Sequence, residues 1–380
     1  MANGAKKAAG TAEKQNNLLQ TLLIALLVLM VLGLFLRFFS SSPVIKRAME
    51  LIGLRQAEPA RTSFIYPSGA GEKFELCGSR LAVVSSAGFQ LLEEDGSAVA
   101  AESLAMDRPA ITSDASLCAF YDVGSTEMRI IGNDGHIAPL QFQERILFAD
   151  LSHDGYLTVV TEYPDYKGRV SVYNAGLSPL FTLDCDASGY PLNARVSPGR
   201  RLVVSCVSSA GSSLRFFDLY QETERGSFHL ENELILDFDF MEDGTVAAIT
   251  EDELLLLNSE GTLLARVDYT DQKLADYCLT GGCAALLLYD NRSGYEGRLV
   301  TIKSDGSVIE ELEISRAVNG LSVSGEYLLV QYADEVTLYT ADFRDDISCQ
   351  RVENVRRALL REDLTALLLG SYGADIIHFS

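Results

Sequence analysis

The sequence predicts an all-β fold: a β-propeller of eight four-stranded blades, or seven if one weak unit is an insertion, preceded by one transmembrane helix. Three observations carry this. The first is a unit of four short apolar runs, clearest over residues 234–269, where LILDFDF, TVAAIT, ELLLLN and TLLARVDY are separated by MEDG, ED and SEG. Each run is strand-length and the breaks are hairpin signals. The second is a period. Asp114, Asp154, Gly199, Gly244, Gly282, Gly325 and Asp363 mark the same turn at intervals of 38 to 45 residues, the blade repeat of a propeller. The third is a run of 19 uncharged residues, 18–36, rich in Leu, Val and Ile. It is long enough to span a bilayer as a helix.

In chain order, residues 1–17 have no apolar periodicity and are expected to be a disordered cytoplasmic tail. The transmembrane helix is assigned to 18–39, with Arg37 placed to snorkel and Phe38 and Phe39 suited to the interface. Residues 40–61 form a juxtamembrane helix and linker. Val44, Ile45, Ala48, Leu51 and Ile52 recur there at helical spacing beside Lys46, Arg47 and Arg55. That segment either lies on the headgroups or continues the span as a stalk.

The propeller domain is assigned to 62–380. Seven complete units occupy 72–353. Residues 354–380 supply only three strands, and the strand at 62–67 provides the missing outer one, so the two ends of the domain close the ring. Runs such as RLAVVSS, RLVVSCV and CAALLLY are continuously apolar, as expected for second strands packed between blades. Cys118, Cys206 and Cys283 fall in such runs and are expected to be buried thiols. Cys278 and Cys283 flank a turn, but a two-Gly turn at Gly281-Gly282 puts them out of register for a disulfide.

Charge is uneven. Up to residue 61 there are eight Lys/Arg and three Asp/Glu; the remainder has 23 and 50. A globular part this acidic offers no basic face to nucleic acid and is repelled by anionic lipid. With a short tail ahead of a single span, the domain is expected on the outer side of a bacterial cytoplasmic membrane.

Ser152-His153-Asp154-Gly155, Ser197-Pro198-Gly199 and the recurrent Asp-Gly turns resemble those of TolB-like and WD40-like propellers. The layout of one span and an acidic propeller resembles an uncharacterised bacterial family of membrane-anchored propellers. That resemblance implies a fold and no activity. Trp is absent, so the Trp-containing repeats of quinoprotein-type propellers, and their cofactor, are not implied.

No G-x-S-x-G, H-E-x-x-H, P-loop or dinucleotide motif occurs. The four His are scattered, His136 and His153 in turns and His229 and His378 in outer strands. Asp184, Asp186 and Ser188 with Gly189 resemble the start of a calcium loop, but Arg195 stands where the bidentate acid belongs, so no metal is expected. Neither is a cofactor.

Two sets of residues remain as candidates. Asn193 and Arg195, Asp237 and Asp239, Asp276, and Arg357 lie on innermost strands and are expected to line an axial channel. Compensating ion pairs there compete with binding of an ion or small anion. The second set comes from extended loops between second and third strands, expected at 163–168 in the third blade, 208–213 in the fourth and 291–297 in the sixth. With the connection at 184–190 they present Tyr163, Asp165, Tyr166, Lys167, Asp184, Asp186, Tyr190, Arg292 and Tyr295. Exposed Tyr and Arg suit recognition. The expected role is a non-enzymatic module binding a protein or envelope component. The alternative is an envelope glycan lyase or hydrolase using Asp237 with Asp239 or Asp276.

Overall fold

The computed structural model describes residues 61–379 apart from 67–68, 187–188, 291–295, 345, 351 and 372. The predicted tail and span lie outside these residues, as does the linker up to residue 60. Among the described residues no helix is long and apolar enough to cross a membrane.

The described chain forms eight antiparallel four-stranded sheets, each a blade. The first seven span 73–103, 109–141, 146–185, 190–231, 237–268, 272–314 and 318–350, each running from the innermost to the outer strand. The eighth takes three strands from 357–378 and its outer strand from Arg61–Ile65. The ring therefore closes as expected, with Arg61 opposite Ile377 and Ile65 opposite Gly373. Closure leaves the last blade without an unpaired third strand. Residue 61 belongs to this strand rather than to the linker.

Antiparallel pairing fixes two faces. Turns joining first to second and third to fourth strands emerge on one, here the turn face. Turns joining second to third strands emerge on the other with the blade-to-blade connections, here the loop face. The two kinds of loop are tied together there: the Met106 amide donates to the Ser86 carbonyl at 3.1 Å, and Tyr269 to Asp252 at 2.8 Å. The pairing of Arg61 with Ile377 means the chain enters the ring on the turn face.

Second strands pack on both sides, and this makes them continuously apolar. Leu157–Thr161, Val246–Ile249 and Thr365–Leu369 are buried along their whole length, whereas the outer strand Leu263–Asp268 alternates between half-buried and exposed. Eight apolar clusters fill the eight seams between neighbouring blades, including the closing seam of Phe64, Tyr66, Leu81, Leu367 and Ile376. Removing one such leucine to Ala costs about 2–5 kcal/mol. Gly261 shows why a turn residue is also a packing residue: its φ is +80°, and a Cβ there would meet the Phe216 ring of the neighbouring blade at 2.8 Å.

Three expectations are corrected. The 208–213 loop of the fourth blade is a tight hairpin in which Ser208 pairs with Gly211 and Ser212 and Ser213 are buried. Polar composition suggested a loop, but Ser212 is spent on structure. It donates to the Glu233 carbonyl and accepts from the Ile235 amide, both at 2.9 Å. His378 ends the third strand of the eighth blade, because the outer strand comes from the other end of the domain. The seven-blade alternative is excluded by the eight sheets. One expectation in the same region needs no correction: Cys278 pairs with Ala285 and is out of register with Cys283, and both are free thiols.

Candidate functional site

Two regions gather the candidate residues, one along the axis and one on the loop face.

The axial region is built by the innermost strands. In the fourth blade Asn193 and Arg195 share one side, as alternation requires. Arg195 reaches both neighbouring blades: Nε is 3.3 Å from Asp150 and Nη1 is 2.8 Å from Asp237. It also donates to the Phe238 carbonyl. Asn193 donates to Asp237 at 3.2 Å, and the Tyr277 hydroxyl donates to the other Asp237 oxygen at 3.3 Å. Asp276 accepts the Leu321 amide of the next blade at 2.9 Å, so it joins two blades. Arg357 is exposed at the start of the eighth blade's innermost strand, and its charge acts on Asp276 and on Glu75.

Toward the turn face this region opens into a cavity of about 730 Å³ lined by Glu75, Asp150, Arg195, Asp239, Glu242 and Glu362 among others. Burial raises Glu75 from 4.5 to about 7, although the Ser113 hydroxyl opposes the shift. It also raises Asp150 from 3.8 to about 6, with Arg195 opposing. Asp239 is raised by burial as well. For Arg195 burial works against the charge, but Asp239, Asp150 and Asp237 outweigh it and hold the guanidinium charged. Glu75 and Asp150 were not among the expected channel residues. Each stands singly in an alternating innermost strand, KFELC and ILFADL, and that alternation was the signal available.

The loop-face region is built around the six-residue loop 162–167 of the third blade. Its backbone is anchored at both ends, Glu162 N–H to the Arg145 carbonyl at 2.9 Å and Lys167 N–H to Cys185 at 2.7 Å. Asp165 adopts φ +67° at its tip. The Tyr163 and Tyr166 rings lie 5.4 Å apart. Arg169 stacks 3.5 Å over Tyr163 and forms a two-point ion pair with Asp184 at 2.6 and 3.0 Å. Lys167 sits 4.5 Å from the centre of the Tyr190 ring. Tyr166 and Tyr190 are 45% and 54% exposed, enough to offer their rings to a partner, while Tyr163 is half-buried.

The structure thus joins Tyr163, Tyr166, Lys167 and Tyr190. It assigns Asp184 to a supporting role: both its oxygens are held by Arg169, which removes it from any calcium loop. Arg169 itself was not foreseen, since an Arg inside a third strand carries no local sign of its partner. Asp186 is exposed at the end of the outer strand, and Arg292 and Tyr295 lie outside the described residues.

Solved structures of similar shape are propellers. The C-terminal WD40 domain of Sif2 aligns over 85% of this chain and 98% of its own, with a TM-score of 0.59 and 10% identity. BamB from Moraxella catarrhalis aligns over 84% and 98%, at 0.55 and 11%. The dihydro-heme d1 dehydrogenase NirN aligns over 76% and 67%, at 0.55 and 13%. At such identities the likeness concerns the fold alone. No curated protein matches the sequence significantly. One family model does, across residues 61–369, and with that span of the propeller matched the chain is a member of the family of unknown function DUF5711.

Proposed function

We propose that this protein is a non-enzymatic interaction module: a propeller tethered to a bacterial membrane through residues 18–39, with its domain exported, that binds a protein or envelope component on its loop face. The observation that carries the reading is the braced tyrosine cluster. Tyr166 and Tyr190 are exposed, yet Lys167, Tyr163, Arg169 and Asp184 hold the surface around them in one arrangement. Pre-ordered aromatic surface binds at low entropic cost. The chain enters the ring on the opposite face, so the cluster is clear of the entry point. The experiment is the Tyr163→Ala/Tyr166→Ala/Tyr190→Ala variant. It is expected to lose its co-purifying envelope partner while melting as the parent does; full recovery of the partner would end the proposal. Protease added to intact protoplasts tests the topology. Digestion of the domain supports export, and protection until lysis reverses it.

One observation favours a second reading, an envelope enzyme: the raised carboxyl groups of Glu75 and Asp150 face a cavity of about 730 Å³. Of the carboxylates expected to serve such an enzyme, Asp237 is committed to Arg195, Asn193 and Tyr277, and Asp276 to a backbone amide, while Asp239 lines the same cavity as Glu75 and Asp150. Turnover of an envelope glycan that Glu75→Gln abolishes would establish this reading over the first.

A further inference from the structure

Six of the large apolar side chains that stand exposed on this domain belong to one sector of the loop face, across the third to fifth blades: Leu147, Tyr166, Tyr190, Leu192, Leu234 and Leu236. Three of them obey the ring. Phe148, Asn193 and Asp237 occupy equivalent places, paired with Val160, Ser205 and Ile249 of their second strands. Leu147, Leu192 and Leu236 each come one residue before, at the loop-face end of the innermost strand. In the third and fourth blades that leucine is the extra residue of a β-bulge, the irregularity that re-aims a side chain. The bulges of the sixth and seventh blades hold Ala275 and Asn319 instead. Leucine thus recurs on three consecutive blades and stops. The three are 36%, 40% and 50% exposed, although the residue just before each, Ile146, Pro191 and Ile235, is buried.

The surface is also held in place. Ser212 bonds to both Glu233 and Ile235, pinning the connection that carries Leu234 and Leu236. Acid flanks the fifth-blade leucines and the tyrosine edge. Glu231, Glu233, Glu251 and Asp252 are exposed beside Leu234 and Leu236, and Glu162 and Asp165 beside Tyr166. The basic side chains of the loops in this sector are Arg145 and Lys167, and Lys167 already lies against Tyr190.

We infer that this leucine crescent, with Tyr166 and Tyr190 at its edge, docks a segment of a partner polypeptide whose clustered large apolar side chains are flanked by Lys or Arg. The apolar chains cover Leu147, Leu192 and Leu236, and the flanking cations meet the surrounding carboxylates. The same carboxylates repel an anionic lipid surface, which decides for a polypeptide over a membrane. The inference rests on the reading of the domain as an interaction module and names what that module takes.

The test is a random peptide library displayed on phage and panned on the full-length chain in neutral-lipid nanodiscs. The Leu147→Ser/Leu192→Ser/Leu236→Ser variant serves as counter-target. Recovered peptides are expected to have apolar centres and basic flanks. Synthetic copies are expected to bind the triple variant at least about tenfold more weakly and the Leu236→Ser variant by an intermediate amount. Equal melting curves for the single variant and the parent exclude misfolding as the cause. Equal affinity for parent and variants would overturn the inference, as would recovery of acidic or wholly polar peptides, or no enrichment over the counter-target. Co-flotation with anionic vesicles that the leucine triple abolishes would assign the surface to lipid and overturn it too. Retained peptide affinity in the Tyr163/Tyr166/Tyr190 triple, with loss in the leucine triple, would keep this inference and remove the tyrosine cluster as the site. Loss only in the tyrosine triple would do the reverse.

Discussion

The innermost strands of the third, fourth and fifth blades carry two unlike regions a few residues apart. Toward the turn face they place Asp150, Arg195 and Asp239 at equivalent positions; toward the loop face they place Leu147, Leu192 and Leu236. The charged level answers itself, with one guanidinium drawn between carboxylates of both neighbouring blades. The apolar level has no such answer within the ring and stays exposed. Burying a charge is affordable only with a partner, so Arg195 is held between carboxylates of the blades on either side. Exposing a leucine costs far less, so the loop-face level tolerates apolar surface in water.

The largest expected effect breaks the charged level. Arg195→Ala leaves Asp150, Asp237 and Asp239 facing one another, and urea unfolding at about pH 8 is expected to show a loss of about 3–5 kcal/mol. The loss should shrink at about pH 5, where Asp150 takes up a proton. An equal loss at both pH values would mean that Arg195 acts by packing rather than charge.

Next comes pH itself. The folded-state values of Glu75 and Asp150 lie above their ordinary ones, so between those limits the native chain holds more protons than the unfolded chain. The stability they contribute is present below about pH 4 and is lost as pH rises through about 6 to 7. Glu75→Gln, which stays neutral, is expected to remove the Glu75 share of that loss, so that above about pH 7 the variant exceeds the parent in stability by on the order of 1–3 kcal/mol and its curve of unfolding free energy against pH is flatter. An unchanged slope would place Glu75 in contact with bulk water.

Smaller effects sharpen the loop-face level. Asp184→Asn frees one end of the two-point pair with Arg169, and this pair is partly exposed, so stability is expected to fall by less than about 1 kcal/mol. Hydrogen exchange at 162–167 should nevertheless quicken as the brace under Tyr163 loosens; unchanged exchange would show that the backbone anchors suffice. The smallest effect on stability is expected from single substitutions at exposed sites, Tyr190→Ala or Leu236→Ser, each within about 0.5 kcal/mol, measured by thermal melting beside the binding assays.

Much of this architecture is legible in the contiguous chain. Apolar runs, Asp-Gly turns and a period near 40 residues are properties of contiguous chain, and they suffice for the blades and for the borrowed outer strand at Arg61–Ile65. The serines at 208–213 misled, because a hydroxyl that satisfies a buried backbone looks the same in sequence as one in water.

What the sequence by itself determined is the repeat, its strand types and the side of each innermost strand on which Asn193, Arg195, Asp237 and Asp239 lie. Only the tertiary structure decided which charges meet. The partners of Arg195 are 42 and 45 residues away, and Arg169 finds Asp184 only through the pairing of two strands. Only the ring, too, brought Leu147, Leu192 and Leu236 to one level. A bulge of one residue shifts a side chain to the other side of its strand, and no local pattern records where the neighbouring blade's bulge falls.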